Sequence, residues 1–326
     1  MDYATAGVDI KKVKSIHHLI ENLIFRSTPK HVLPIKGHYA GLFKVGKITL
    51  AIHCDGVGSK VLVAQQQNKY DTIGIDCVAM NVNDIVCIGA KPLVLVDYLA
   101  LAKEDPQLVY EIMKGLVRGA KEAGCALVGG ETAILPEIIR GAGRPFDLAA
   151  SCVGVVEKLI SGQEIAPGDV VVGLESSGLH SNGYTLARKL LDESWYKEML
   201  VPTRIYVKPI MRMIRECKIH GLAHITGGAF SKLSRIGKRA KVGFLLDQMP
   251  QPKGIMAQLS QQVANDYEFY RTFNGGIGMC VVCPKQEEER VIAIAKKHSI
   301  GAQIIGKVVK KQDVILKKGG REISLL

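Results

Sequence analysis

Two series of apolar, strand-like runs alternate with amphipathic segments, and a polar stretch rich in Gly and Pro from 162 to 168 separates them. That pattern confines the chain to two mixed α/β domains in tandem, residues 1–158 and 159–326. In the first series, residues 49–53, 93–101, 126–128 and 146–157 read as strands, and 72–89 and 106–124 as helices. The 72–89 helix closes on Gly89 with Pro92 soon after, the composition of a helix stop. The second series reads as a strand at 169–174, helices at 184–192 and 205–217, and a strand at 242–246. Segments 255–262, 279–283, 286–298 and 303–309 complete it.

A length of 326 residues suffices for two cores, and 47% hydrophobic with 23% charged residues is the balance of an ordered chain. No run of about 18 apolar residues suggests a membrane span, and Met1-Asp2-Tyr3 lacks a signal-peptide pattern, so no membrane role is expected. Eight cysteines lie singly in apolar segments and read as reduced thiols of a cytoplasmic protein. Cys280 and Cys283 have CxxC spacing, but on a strand residues three apart face opposite sides, which argues against a metal. The net charge of +12 invites a nucleic-acid reading. No zinc finger, RNA-recognition motif or aromatic-interleaved basic patch supports one, and anionic small substrates explain the sign equally well. Nucleic acid is therefore not an expected partner.

Three elements converge on nucleotide chemistry. Asp55-Gly56-Val57-Gly58-Ser59-Lys60 follows an apolar strand, its glycines permitting close backbone approach, its lysine suiting phosphate and its carboxylate suiting Mg²⁺. The spacing is not that of a Walker A loop. The 72–89 helix carries Asp76, Asn81, Asn83 and Asp84. At about 100° per residue Asp76, Met80 and Asn83 share a face, with Asp84 about 80° round. This is either an exposed polar stripe or a buried cluster that needs partners. Val128-Gly129-Gly130-Glu131-Thr132 repeats the design, an apolar strand running into glycines and an acid.

In the second half, Ser176-Ser-Gly-Leu-His-Ser-Asn-Gly183 lies between a strand and a helix, an arrangement suited to anions, and His180 there is able to move a proton. The alternative is that Ser181 or Asn182 simply caps the helix. His224-Ile-Thr-Gly-Gly228 forms a second anion-site candidate. There is no G-x-S-x-G elbow, HExxH or paired Cys/His zinc pattern.

These segments, with Tyr3-Ala-Thr-Ala-Gly-Val-Asp9, Pro202-Thr-Arg-Ile-Tyr-Val-Lys208 and Phe273-Asn-Gly-Gly-Ile-Gly-Met279, resemble in order the phosphoribosylformylglycinamidine cyclo-ligase family, also called aminoimidazole ribonucleotide synthetase. The resemblance covers nearly the whole chain. The acidic and Gly-rich elements are shared with a wider superfamily that includes thiamine-monophosphate kinase, selenide water dikinase and the hydrogenase maturation dehydratase. The dehydratase is disfavoured because the chain ends Glu322-Ile-Ser-Leu-Leu326 without its reactive cysteine. Departures fall in the 33–43 loop, at Ala133 to Glu137 and at Ala229, and they look like those of an archaeal member.

The resemblance implies an α+β, two-domain architecture. An N-terminal mixed sheet would carry helices on one face and pair with a second subunit, forming a homodimer, and the C-terminal domain would be layered α/β. It implies ATP and Mg²⁺ as cofactors and formylglycinamidine ribonucleotide as substrate. ATP would contact Asp55, Gly56, Gly58, Ser59, Lys60, Asp76, Asn83 and Thr132. Mg²⁺ would be held by Asp55, Asp84 and Glu131. Substrate would contact His180, Ser181, Asn182, Thr226, Gly227 and Gly228, with His180 and Lys60 as the catalytic pair. The alternatives are a small-molecule kinase of the same superfamily and, resting on charge alone, a basic nucleotide- or RNA-binding protein.

Overall fold

The computed structural model describes residues 28–33 and 37–326, together with positions 15, 16, 19, 20, 23 and 24. The 3–9 motif and positions 34–36 of the divergent loop lie outside the described residues.

Six strands form the first sheet: β1 (Val32–Leu33), β2 (Gly41–Val45), β3 (Ile48–Gly56), β4 (Ala90–Leu101), β5 (Ala126–Ile134) and β6 (Phe146–Val156). Their order is β1-β2-β3-β6-β4-β5, and every pairing is antiparallel except β4 with β5. α1 (Lys60–Gln66) follows β3, α2 (Ile73–Cys87) packs on β3, β4 and β6, and α3 (Pro106–Ala123) packs on α2. Strand alternation sorts the two faces. Ala51, Leu95, Leu99, Leu148 and Cys152 are fully buried beneath the helices, whereas Ile52, Val96 and Tyr98 are 43–45% exposed on the opposite, open face.

The second sheet holds β7 (Val170–Glu175), β8 (Gly221–His224), β9 (Gly243–Leu246), β10 (Ile277–Cys283), β11 (Ala302–Val309), β12 (Val314–Lys318) and β13 (Arg321–Ser324). The order is β13-β12-β9-β11-β7-β10-β8, with β9 and β12 the parallel pair. Around it lie α4 (Tyr184–Leu190), α5 (Tyr196–Met199), α6 (Val207–Glu216), α7 (Leu233–Ala240), α8 (Ile255–Gln262), α9 (Asp266–Thr272) and α10 (Glu288–Lys297). Each domain is thus a mixed sheet plus helices.

α2 positions the site. Its outer side contacts β8 and α6 of the second domain, so all fifteen of its residues are buried, Asp76, Asn81, Asn83 and Asp84 included. Of the two readings, the buried cluster is the one observed, and each polar group must find a partner.

Two boundaries differ from the sequence reading. Gly129, Gly130 and Glu131 are not a turn after a strand, because β5 runs through them to Ile134. Pro92 does not lie between the helix and the 93–101 strand; it is inside β4, which starts at Ala90, next to a register shift between Pro92 and Val94 where a missing N–H is tolerated. The lysine-rich segment from Lys307 to Lys318 is also structured, spanning the end of β11 and all of β12.

Candidate functional site

The joint between the domains is built on buried charge. Lys60 opens α1, and its Nζ donates to Asp76 Oδ1 at 2.9 Å, to the His180 carbonyl at 3.2 Å and to the Val201 carbonyl at 2.8 Å. Asp76 also accepts from Thr203 N at 2.7 Å, Thr203 Oγ1 at 2.6 Å and Ser181 Oγ at 3.1 Å. Neither the Lys60 nor the Asp76 side chain is exposed. Asn83 is engaged in the same way, donating to Arg204 O and accepting from Tyr206 N, both at 2.9 Å. The Pro202 to Lys208 segment is therefore strapped onto α2. Lys60, Asp76 and Asn83, three of the residues expected at the nucleotide, present no side-chain surface to a ligand in this structure.

Next to the joint, an acid–imidazole cluster lies between β3, α2 and β8. Asn81 clamps β3, accepting from Asp55 N and donating to Asp55 O, each at 3.0 Å. Asp84 Oδ1 lies 2.7 Å from His224 Nδ1 of β8, and Asp84 Oδ2 lies 3.4 Å from His53 Nε2. His53 in turn lies 4.0 Å from Asp55. Burial pushes the Asp84 carboxyl up, but the His224 hydrogen bond and the charge of Lys232 outweigh it and hold the group at about 2. Asp55 moves the other way, raised by burial and by neighbouring Asp84. Two carboxylates whose mutual repulsion raises one of them form a place where a cation is favoured. Asp55 keeps 40% of its side chain exposed and is the accessible member.

The second-domain loops meet this cluster. His180 has a left-handed φ of 64°, and its Nε2 accepts from Ser177 N at 3.2 Å, which leaves the proton on Nδ1 without a partner among the described residues. Burial holds the imidazole well below its ordinary range, so it is neutral at pH 7. It packs against Gly278, where a Cβ would approach His180 Cε1 to 2.4 Å, so only glycine fits. Asn182 approaches Gly227, bringing the 176–183 and 224–228 loops together. Lys232 donates to Thr226 Oγ1. Ser59 Oγ lies 3.3 Å from Thr185 Oγ1 across the joint. Beside the start of the first loop, Glu175, Ser176, Ser177, Glu198 and Lys253 line a cavity of about 460 Å³.

Within one chain, Glu131 does not join the Asp55–Asp84 cluster. Asp55 pairs with Ala150, Ala150 with Asp97, and Asp97 with Gly130, so β5 lies three strands away, about 14 Å. Glu131 pairs with Tyr98 and shares its open face, whereas Asp55 faces the helices. Thr132 lies on the same edge strand. Gly130 has another purpose: a Cβ there would come 2.3 Å from an Asp97 carboxylate oxygen. Asp97, His53 and Lys232 were missed by motif reading. Asp97 had one signal, a lone carboxylate in an apolar strand.

The donor set suits Mg²⁺. Asp55 and Asp84 offer hard carboxylate oxygens, and Mg²⁺ commonly takes one or two carboxylates and fills its remaining positions with phosphate and water.

Family models match both halves of the chain: AIR synthase related protein, N-terminal domain, over residues 37–156, and the corresponding C-terminal domain over 166–319. A phosphoribosylformylglycinamidine cyclo-ligase from Methanocaldococcus jannaschii is 45% identical over 333 residues, covering 96% of this chain and 93% of that protein. The enzyme of that name from Saccharolobus solfataricus is 47% identical over 284 residues, covering 85% and 84%. That of Pyrococcus horikoshii is 44% identical, covering 97% of each. Among solved structures, the HypE-HypF complex has a TM-score of 0.72 at 23% identity, covering 94% of this chain and 98% of that one. AaThiL complexed with AMPPCP and TMP has a TM-score of 0.70 at 14% identity, covering 94% and 93%. At those identities the likeness is one of fold.

Proposed function

The chain belongs to the phosphoribosylformylglycinamidine cyclo-ligase family, and we propose that it closes the imidazole ring of formylglycinamidine ribonucleotide with ATP. It is an enzyme of purine biosynthesis that forms a C–N bond. The observation that carries the reading is the 2.7 Å contact between Asp84 of the first domain and His224 of the second. It sets an acid cluster suited to nucleotide phosphates against two small, polar substrate loops.

The chemistry follows from what a ring closure needs. The formyl amide oxygen takes the γ-phosphoryl group of ATP, releasing ADP. The amidine nitrogen then attacks that carbon, and phosphate leaves with the former amide oxygen. Phosphorylation makes a poor oxygen leaving group into a good one, so the protein's tasks are positioning and charge neutralisation. Mg²⁺, held by Asp55 and Asp84, would supply neutralisation of phosphate charge. Asn182 and Gly227 mark the meeting point of the two loops, and with Ser181 and Thr226 they would orient the ribonucleotide. Glu175 and Glu198, carboxylates of the adjoining cavity, suit the cationic amidine or ribose hydroxyls rather than a phosphate. We assign proton transfer to the unpartnered Nδ1 of His180.

The open face of the first sheet supports a homodimer. Phe43, Val45, Ile48, Ile52, Val96 and Tyr98 lie on it, and an apolar face of that breadth is a partner surface. All eight cysteines are free, which fits a reducing cytoplasm. No helix among the described residues is long and apolar enough to cross a membrane.

Incubation with ATP, Mg²⁺ and formylglycinamidine ribonucleotide tests the reading. One aminoimidazole ribonucleotide should form per ATP consumed; ATP consumption with a phosphorylated, uncyclised product would favour a kinase.

A further inference from the structure

The lysine that a motif reading assigns to phosphate is sequestered: Lys60 is wholly buried and bonded to Asp76 and two carbonyls. A polyphosphate at the Asp55–Asp84 cluster needs cations from elsewhere. Two converge there from the second domain. Lys232 immediately precedes α7, and Arg235 lies on its first turn. Lys232 Nζ lies 5.6 Å and Arg235 Cζ 5.7 Å from the centroid of the same Tyr39 ring.

These charges are arranged against their own interest. Burial weighs most against the charge of Lys232, Arg235 adds to it, and the attraction of Asp84 and Asp55 offsets only part. Among the described residues neither cation has a carboxylate within 4.0 Å. A pair of cations held together with no carboxylate in contact is the electrostatic complement of a bound anion. A second observation points the same way. The hydroxyl of Tyr39, a residue only 2% exposed, has no hydrogen-bond partner among the described residues, although buried hydroxyls are nearly always satisfied. Lys232 also donates to Thr226 Oγ1, which ties it to the 224–228 loop.

We propose that Lys232 and Arg235 bind a phosphate group of one of the two phosphorylated substrates, opposite the carboxylates of Asp55 and Asp84. The inference rests on the cyclo-ligase reading for the identity of those substrates. The nucleotide polyphosphate and the ribose 5′-phosphate share the recognised chemistry, and separate Michaelis constants tell them apart.

The test uses the full chain with Lys232→Met, Lys232→Arg and Arg235→Met. Lys232→Met should raise KM at least about tenfold for one substrate and leave the other within about twofold; the substrate affected names the source. Lys232→Arg should restore most of the loss, which a packing role would not require. Arg235 is exposed, so Arg235→Met tests the site without risk to the core. Calorimetry with inorganic tripolyphosphate supplies an arm independent of turnover. Wild-type binding at least about tenfold tighter than in either Met variant supports the proposal even if no aminoimidazole ribonucleotide is formed. Unchanged KM values, or equal tripolyphosphate affinities in a chain that forms no product, overturn it.

Discussion

Lys60 and Asp76 face each other at 2.9 Å with no exposed surface on either side chain, and together they fasten α1 and α2 to the 180–203 region of the second domain. Removing one partner of such a pair strands the other charge, at a cost of about 3–5 kcal/mol. Lys60→Met and Asp76→Asn should each lower the thermal midpoint by many degrees, and the double variant should lose less than their sum. Single variants melting with the wild type would show that the joint is not held this way.

The acid cluster makes a different prediction. Asp55→Asn and Asp84→Asn should each lower ATP turnover by at least about 100-fold, since each removes charge that the proposed function assigns to Mg²⁺ and phosphate. Circular dichroism should be unchanged for Asp55, whose side chain is 40% exposed. Near-full activity in both variants would place the nucleotide elsewhere.

Acid should destabilise the protein from an unusually high pH. Burial lowers the His38 imidazole from 6.5 to about 4 and also lowers His180 and His224. The unfolded chain therefore binds protons that the folded chain refuses, and stability falls as pH drops below 6.5. His38 alone contributes a loss of about 3 kcal/mol by pH 4. Asp84, held at about 2, has the usual carboxylate sign: its contribution is present above 3.8 and is lost as pH falls towards 2. Denaturant midpoints measured from pH 8 to 4 should begin to fall near 6.5. A plateau down to pH 4.5 would contradict the burial of these imidazoles.

The open sheet face should mediate self-association. Val96→Glu with Tyr98→Glu places charge on two side chains that are 45% exposed and touch nothing essential to one chain's core. Sedimentation should show a dimer for the wild type and a monomer for the variant. A monomeric wild type at micromolar concentration would refute the assignment.

Much of the architecture was legible because it is written in local pattern. The β7 and β10 runs, the 106–124 helix and the placing of Asp55 at the end of a strand follow from periodicity and residue type. What failed was nonlocal. No spacing rule shows that α2 is covered by a second domain, so the polar face of Asp76 and Asn83 was read as a ligand surface when it is a joint. Lys60 was misplaced for the same reason, because its partners lie 16 to 141 residues away. The Gly129-Gly130 pair resembles a turn, since sequence cannot show that an Asp97 side chain occupies the space a Cβ on Gly130 would need. Lys232 sat in a basic helix that resembles any solvated one, and only the shared Tyr39 ring marks it out.

The most direct test of the central claim follows the amide oxygen. Formylglycinamidine ribonucleotide labelled with ¹⁸O at the formyl group should transfer that atom to the released inorganic phosphate, one label per ring closed. Unlabelled phosphate, with ¹⁸O appearing in water, would contradict activation of the amide by phosphoryl transfer.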